Sequence, residues 1–161
     1  MIGSISGTEL PRLAGFAESG GKSAILASTI GRKPMLTRYK PATVAPPSSN
    51  FCHGVAVEGA GRWLHMSGQV GCTQDGTLAS GADGQMRQCW RNILAIAADA
   101  GMGRDNLVKV TAYITDASLI AVYREARDEI LEGYECASTL VVVDALAHPD
   151  WVVEIEAIAA A

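Results

Sequence analysis

Between residues 85 and 114 the spacing of apolar side chains switches from three-and-four to strict alternation, and a glycine marks the switch. Met86, Cys89/Trp90, Ile93, Ala97 and Ala100 recur as one stripe of a helix over Gln85–Ala100, while Gln85, Arg87, Gln88, Arg91 and Asn92 fall mostly opposite. Gly101 supplies the stop. Val108, Val110, Ala112 and Ile114 then alternate with Lys109, Thr111 and Tyr113, which predicts a strand over 107–114 with one covered face. The sequence repeats the device. Asp116-Ala-Ser118 can cap a second helix with a stripe of Leu119, Val122/Tyr123, Ala126 and Ile130, stopped by Gly133 and followed by a strand over Ala137–Val143. Arg124 and Asp128 read as an i,i+4 surface pair on that helix.

The flanks of this unit are strand-like. Val55 and Val57, a Gly59-Ala-Gly61 turn, and the run from Trp63 to Ser67-Gly-Gln-Val-Gly71 read as a β-hairpin. Residues 39–50 hold three prolines and no periodicity, so they are expected to be an extended lead-in. Trp151–Ala159 alternates again. The resulting order, β-β-α-β-α-β-β, predicts an α+β domain with a mixed sheet and both helices on one face. The other face then needs a cover that a single small domain cannot provide, so self-association through the sheet is expected.

Composition narrows the function classes. With 48% hydrophobic and 19% charged residues, 161 residues can build one real core. A net charge of −4 argues against general attraction to nucleic acid or to an anionic membrane. No apolar run approaches the ~18 residues that span a bilayer; the best, Thr139–Val143, is closed by Asp144. Cys52, Cys72, Cys89 and Cys136 form no CxxC pair, and His53, His65 and His148 form no HxxxH, so neither spacing suggests a metal site. The cysteines read as reduced thiols of a cytoplasmic protein.

Residues 1–34 differ from the remainder: they are rich in Ser and Gly, with Glu9 and Glu18 against Arg12, Lys22, Arg32 and Lys33. They lack the order of a secretory signal, and the two glutamates weaken a transit-peptide reading. The expectation is a weakly ordered N-terminal extension over 1–34, with Met35 as the natural start of a domain over 35–161.

Three segments together resemble the Rid (reactive intermediate deaminase, YjgF-type) family: Ser67–Gly71, Asn92–Gly101 continuing to Val108–Thr111, and Val153–Ala159. Tyr123-Arg-Glu-Ala-Arg127, Ala137–Val143 and the start Met35-Leu-Thr-Arg-Tyr39 fit the same pattern in collinear order. The resemblance implies a chorismate-mutase-like fold, a homotrimer with sheets packed inward as a barrel, and three clefts between subunits. It also implies a small-molecule ligand and cofactor-free hydrolysis of enamines or imines to 2-keto acids and ammonia. Such chemistry needs a cationic grip on the substrate carboxylate and a group that orients water.

Carried over residue by residue, the family's water-orienting glutamate falls on Glu154, although alternation puts Glu156 on the same face and leaves the choice open. The serine and glycine of its SGQ motif fall on Ser67 and Gly68, which line the cleft or merely form a strand bulge. Its cleft aromatic, usually tyrosine, falls on Phe51, a position equally suited to plain packing. The departure is at Ser138, which stands where deaminating members carry arginine in Pro-Ala-Arg-Ser. A charged fork gives way to one neutral hydroxyl, roughly 1.5–3 kcal/mol against about 1. The resemblance thus implies little ordinary 2-aminoacrylate deaminase activity unless another cation reaches the cleft, and Arg91 and Arg124 read as helix surface. Cys136, in place of the motif proline, has Glu135 beside it and no adjacent histidine, so it reads as structural rather than nucleophilic. Two functions follow: an imine or enamine hydrolase, or a non-catalytic binding or regulatory trimer. A third, ribonuclease or translation inhibition, is disfavoured by the acidic charge and the lack of a basic aromatic patch.

Overall fold

The computed structural model describes residues 33–161. Its elements are β1 (Met35–Tyr39), β2 (Gly54–Glu58), β3 (Trp63–Val70), α1 (Gly81–Asp99), β4 (Leu107–Ile114), α2 (Ile120–Ile130), β5 (Ala137–Val142) and β6 (Val153–Ala160). Four strands form a mixed sheet in the order β3-β6-β4-β5, with β4 parallel to β5 and β6 antiparallel to both its neighbours. Both helices pack on one face of it, as the stripes require. The α1 residues Met86, Cys89, Trp90, Ile93 and Ala97 are buried against Val110, Ala112 and Ile114 of β4 and Val153, Ile155 and Ala157 of β6. On the opposite face Lys109, Thr111, Tyr113 and Glu154 are partly covered and Glu156 is exposed.

The helix ends follow local chemistry. Ala100 caps α1 and Gly101 adopts φ +70°, the left-handed geometry that glycine accepts without penalty. The Asp116 side chain accepts from the Ser118 N–H at 2.7 Å, capping a short 3-10 turn that leads into α2. Two α1 polar residues assigned to the wet side turn inward instead. Gln85 is 5% exposed and bonds the Asp150 carbonyl and the Val152 N–H, while Asn92 donates to the Val70 and Cys72 carbonyls. Each satisfies strand-end backbone groups that no ladder partner reaches.

Two expectations are corrected. The β2–β3 hairpin does not form: β2 pairs antiparallel with β1, Met35 facing Glu58 and Tyr39 facing Gly54, and β3 pairs with β6. Strand β1 itself lies just before the proline-rich lead-in and was not expected. Residues 1–32 of the expected extension lie outside the described residues. No helix among the described residues is long and apolar enough to cross a membrane.

Candidate functional site

The expected site residues fall into groups on opposite edges of the sheet. At the β5 edge, the Cys52 N–H donates to the Cys136 carbonyl at 3.2 Å, and Cys52 forms a lone parallel bridge with Ala137. That contact fixes the preceding residue, Phe51, beside Ser138. Phe51 and Ser138 line a hollow of about 130 Å³ together with Ser49, Tyr123, Arg124, Arg127 and Leu140. Ser138 and Leu140 reach it because alternation turns them toward α2, away from exposed Thr139 and Val141.

Helix α2 supplies the rest of the wall. Tyr123 and Arg127 lie one turn apart on its buried face, 1% and 4% exposed. The Tyr123 hydroxyl is buried with no hydrogen-bond partner, which costs about 1–3 kcal/mol. Burial also drives its pKa upward. The expected Arg124–Asp128 pair is not made. Asp128 instead accepts from Nε and Nη2 of Arg127 at 2.8 and 2.6 Å, and Arg124 reaches Ser48 Oγ at 3.4 Å. Arg91 is exposed on α1 and takes no part in this hollow, whereas Arg124 does. Arg127 was overlooked because arginine type suggested surface; its i+4 spacing from Tyr123 was the available signal.

At the β3 edge, the β3–β6 register slips between Met66 and Gln69, and Gly68 sits in that bulge. A Cβ built on Gly68 would stand 1.8 Å from Glu154 Oε1 and 2.7 Å from Cδ. Glycine is therefore what lets the Glu154 carboxyl lie directly over the backbone. Glu156, two residues on, is more exposed and lines a separate hollow with Ser67, His65, Lys109 and Thr111. The two acids that alternation left equivalent are thus placed differently: Glu154 against Gly68, Glu156 beside Ser67.

One chain does not bring all five expected residues together. Phe51 and Ser138 share one hollow, Gly68 and Glu154 touch, and Ser67 opens elsewhere. Strands β3 and β5 are the two edges of a four-stranded sheet, so Gly68 and Ser138 are separated by three strand spacings, roughly 14 Å.

The cysteines are poorly suited to nucleophilic work. Burial pushes Cys136 up to about 11, with neighbouring Cys52 adding to it, and pushes Cys89 up to about 12. The Cys52 thiol is also raised, first by burial. Among the described residues, no three His, Cys, Asp or Glu side chains gather as a metal site would need.

Comparison with known proteins places these features. The Endoribonuclease L-PSP family model matches residues 42–161. A RutC family protein of Aquifex aeolicus (strain VF5) is 39% identical over 89 residues, 55% of this chain and 66% of that protein. TdcF of Escherichia coli (strain K12), which bears a provisional assignment as a reactive intermediate deaminase, is 31% identical over 133 residues, 80% of this chain and 96% of the relative. Among solved structures, YyfB of the conserved Rid protein family from Yersinia pestis superposes with a TM-score of 0.72 at 28% identity, covering 78% of this chain and 98% of that one. RidA from the Antarctic bacterium Psychrobacter sp. PAMC 21119 gives a TM-score of 0.60 at 29% identity, with 78% and 99% covered. A family match across most of the chain, near-complete coverage of TdcF and the same two-helix, mixed-sheet architecture lead to one conclusion: the chain belongs to the Rid/YjgF family.

Proposed function

We propose that this protein is a cytoplasmic homotrimer whose clefts between subunits bind a small polar metabolite and hydrolyse an imine, enamine or related C–N bond without a cofactor. The observation that carries the reading is the division of the site. Gly68 lies on edge strand β3 and Glu154 on the neighbouring interior strand β6, while the Phe51–Ser138 hollow lies at the opposite, β5 edge; one chain leaves the two halves apart, and a neighbouring copy is the element that brings one to the other. In the cleft, Glu154 orients a water and takes its proton as the oxygen attacks the imine carbon. Glu154 returns that proton to the nitrogen to give a neutral carbinolamine. It then takes the carbinol hydroxyl proton and passes it to the nitrogen as the C–N bond breaks, so that a carbonyl compound and ammonia leave and the carboxylate is restored. Phe51 packs against the substrate and Gly68 offers an approachable backbone, while Ser67 opens into the separate hollow beside Glu156. The neutral hydroxyl of Ser138 in place of a strand arginine favours one second reading, a binding or regulatory trimer with the same clefts and no chemistry.

Light scattering is expected to give a mass of three chains, and ammonia release from imines generated in situ by an amino-acid oxidase is expected to exceed the buffer rate. A stable monomer overturns the cleft model; trimers with no acceleration across a range of amino acids leave the binding reading. Gly68→Ala sharpens the test. The added methyl meets only the flexible end of Glu154, so the fold is expected to survive while the carboxyl is displaced, and hydrolysis falls about 10²-fold. An active Gly68→Ala variant would show that this carboxyl position is immaterial.

A further inference from the structure

Helix α1 turns three polar groups toward the strands that carry the Gly68–Glu154 pair, and the proposed chemistry uses none of them. They are Gln85, Cys89 and Asn92, spaced i, i+4, i+7 and therefore on one face. The Gln85 side chain donates to the Asp150 carbonyl at 2.9 Å and accepts from the Val152 N–H at 3.0 Å, gripping the entry to β6 just before Glu154. The Cys89 thiol points at the Val153 carbonyl, 3.8 Å away. Asn92 donates to the carbonyls of Val70 and Cys72 at 3.1 and 2.9 Å, gripping the exit of β3. Gln88 donates to Asn92 Oδ1 at 2.8 Å and so keeps the Asn92 amide turned toward the strand. Val70 is the residue that faces Glu154 across the β3–β6 ladder. Helix and strand also meet backbone to backbone: a Cβ built on Gly71 would stand 2.5 Å from Gln85 Cα, which has no room to yield.

The contact of Glu154 with Gly68 depends on the register slip between Met66 and Gln69. A bulge interrupts the ladder locally, so the strands alone do not fix how β3 lies along β6 at that point. One helix bonded to both strands does. We propose that Gln85 and Asn92 are positioning residues, the two ends of a clamp that holds β3 and β6 in the slipped register and so sets the Glu154 carboxyl over Gly68. The effect on rate rests on Glu154 acting as the base; the clamp itself is a matter of geometry. Carboxamides suit the task, since they bond backbone groups and put no charge beside the acid.

The test uses the full chain with Gln85→Ala and Asn92→Ala. Each is expected to lower kcat for imine hydrolysis by about 10–10²-fold with KM nearly unchanged, since a displacement of about 1 Å at the reacting group costs on that order. An NMR cross-peak between the Gly68 α-protons and the Glu154 γ-protons reads the geometry without reference to activity. It is expected in the parent, where Glu154 Cγ lies 2.9 Å from the place of a Gly68 Cβ, and is expected to be lost in both variants. Ile93→Val is the control for plain loss of stability: Ile93 is buried on the same helix between the two grips, so the variant melts earlier but keeps the parent's kcat and cross-peak. Circular dichroism checks each variant; should Gln85→Ala not fold, half-buried Asn92 decides the matter. A rate lost with the cross-peak intact, or an equal loss in Ile93→Val, overturns the clamp. Hydrolysis and cross-peak both at the parent's level in the two alanine variants overturn the clamp and keep the hydrolase. A cross-peak lost in variants of a parent that releases no ammonia keeps the clamp and removes the hydrolase.

Discussion

Replacing Glu154 by glutamine is expected to lower imine hydrolysis by about 10²–10⁴-fold, the range lost with a general base, while thermal stability stays near that of the parent. Glutamine preserves the length and the polar contact over Gly68, so the bulge keeps its packing. What disappears is the ability to take a proton from water. Substrate affinity should change little, because glutamine keeps a polar group of the same length and the Phe51–Ser138 hollow is untouched. Glu156→Gln is the paired control. Its side chain is exposed in a separate hollow with Ser67 and Lys109, so its removal is expected to leave the rate within a few-fold of the parent. Measuring ammonia release for both variants settles which acid acts. Loss in Glu156→Gln with activity retained in Glu154→Gln would transfer the role to Glu156.

The largest stability effect is expected from Trp90→Ala. Trp90 is completely buried in the α1 stripe, between the sheet and α2, with its ring centroid 6.2 Å from that of Tyr123. Truncation to alanine leaves a cavity that surrounding side chains fill only partly, at about 3–5 kcal/mol. Against a typical domain stability of about 5–15 kcal/mol, that is roughly a fifth of the total or more. Urea denaturation of the two proteins measures the difference directly. A loss under about 1 kcal/mol would mean that the core relaxes around the gap, contrary to the packing described. Because Tyr123 leans on this ring, the same substitution should also loosen the wall of the Phe51–Ser138 hollow.

What could be read from residues alone divides along a physical line. The α1 stripe from Met86 to Ala97 and the β4 alternation from Leu107 to Ile114 depend on a periodic burial pattern within one segment, and both elements appear where that pattern puts them. The β2–β3 hairpin failed because pairing is a choice between partners. Gly59-Ala-Gly61 permits a turn, but β3 gains a full antiparallel ladder with β6, almost a hundred residues away, and β2 gains one with β1. No local signal announces which partner wins. Among the site residues, Phe51 and Ser138 do meet, yet motif comparison could not show that Arg124 and Arg127 meet them. Residue type assigns arginine to the surface, and only the packing of α2 on β5 reveals a guanidinium held inside. The pairing of Glu154 with Gly68 was likewise hidden, since it depends on a register slip rather than on spacing.

The position of β6 has a consequence for how the molecule comes into being. It comes last in chain order among the described strands, yet it occupies the interior slot between β3 and β4. During synthesis, β3 and β4 therefore wait with unmatched edges until residues 153–160 leave the ribosome. Their closure spans long sequence separations, which slows folding and makes the sheet form as a unit rather than strand by strand. In that interval the open edges of β3 and β4 are free to pair with strands of other molecules.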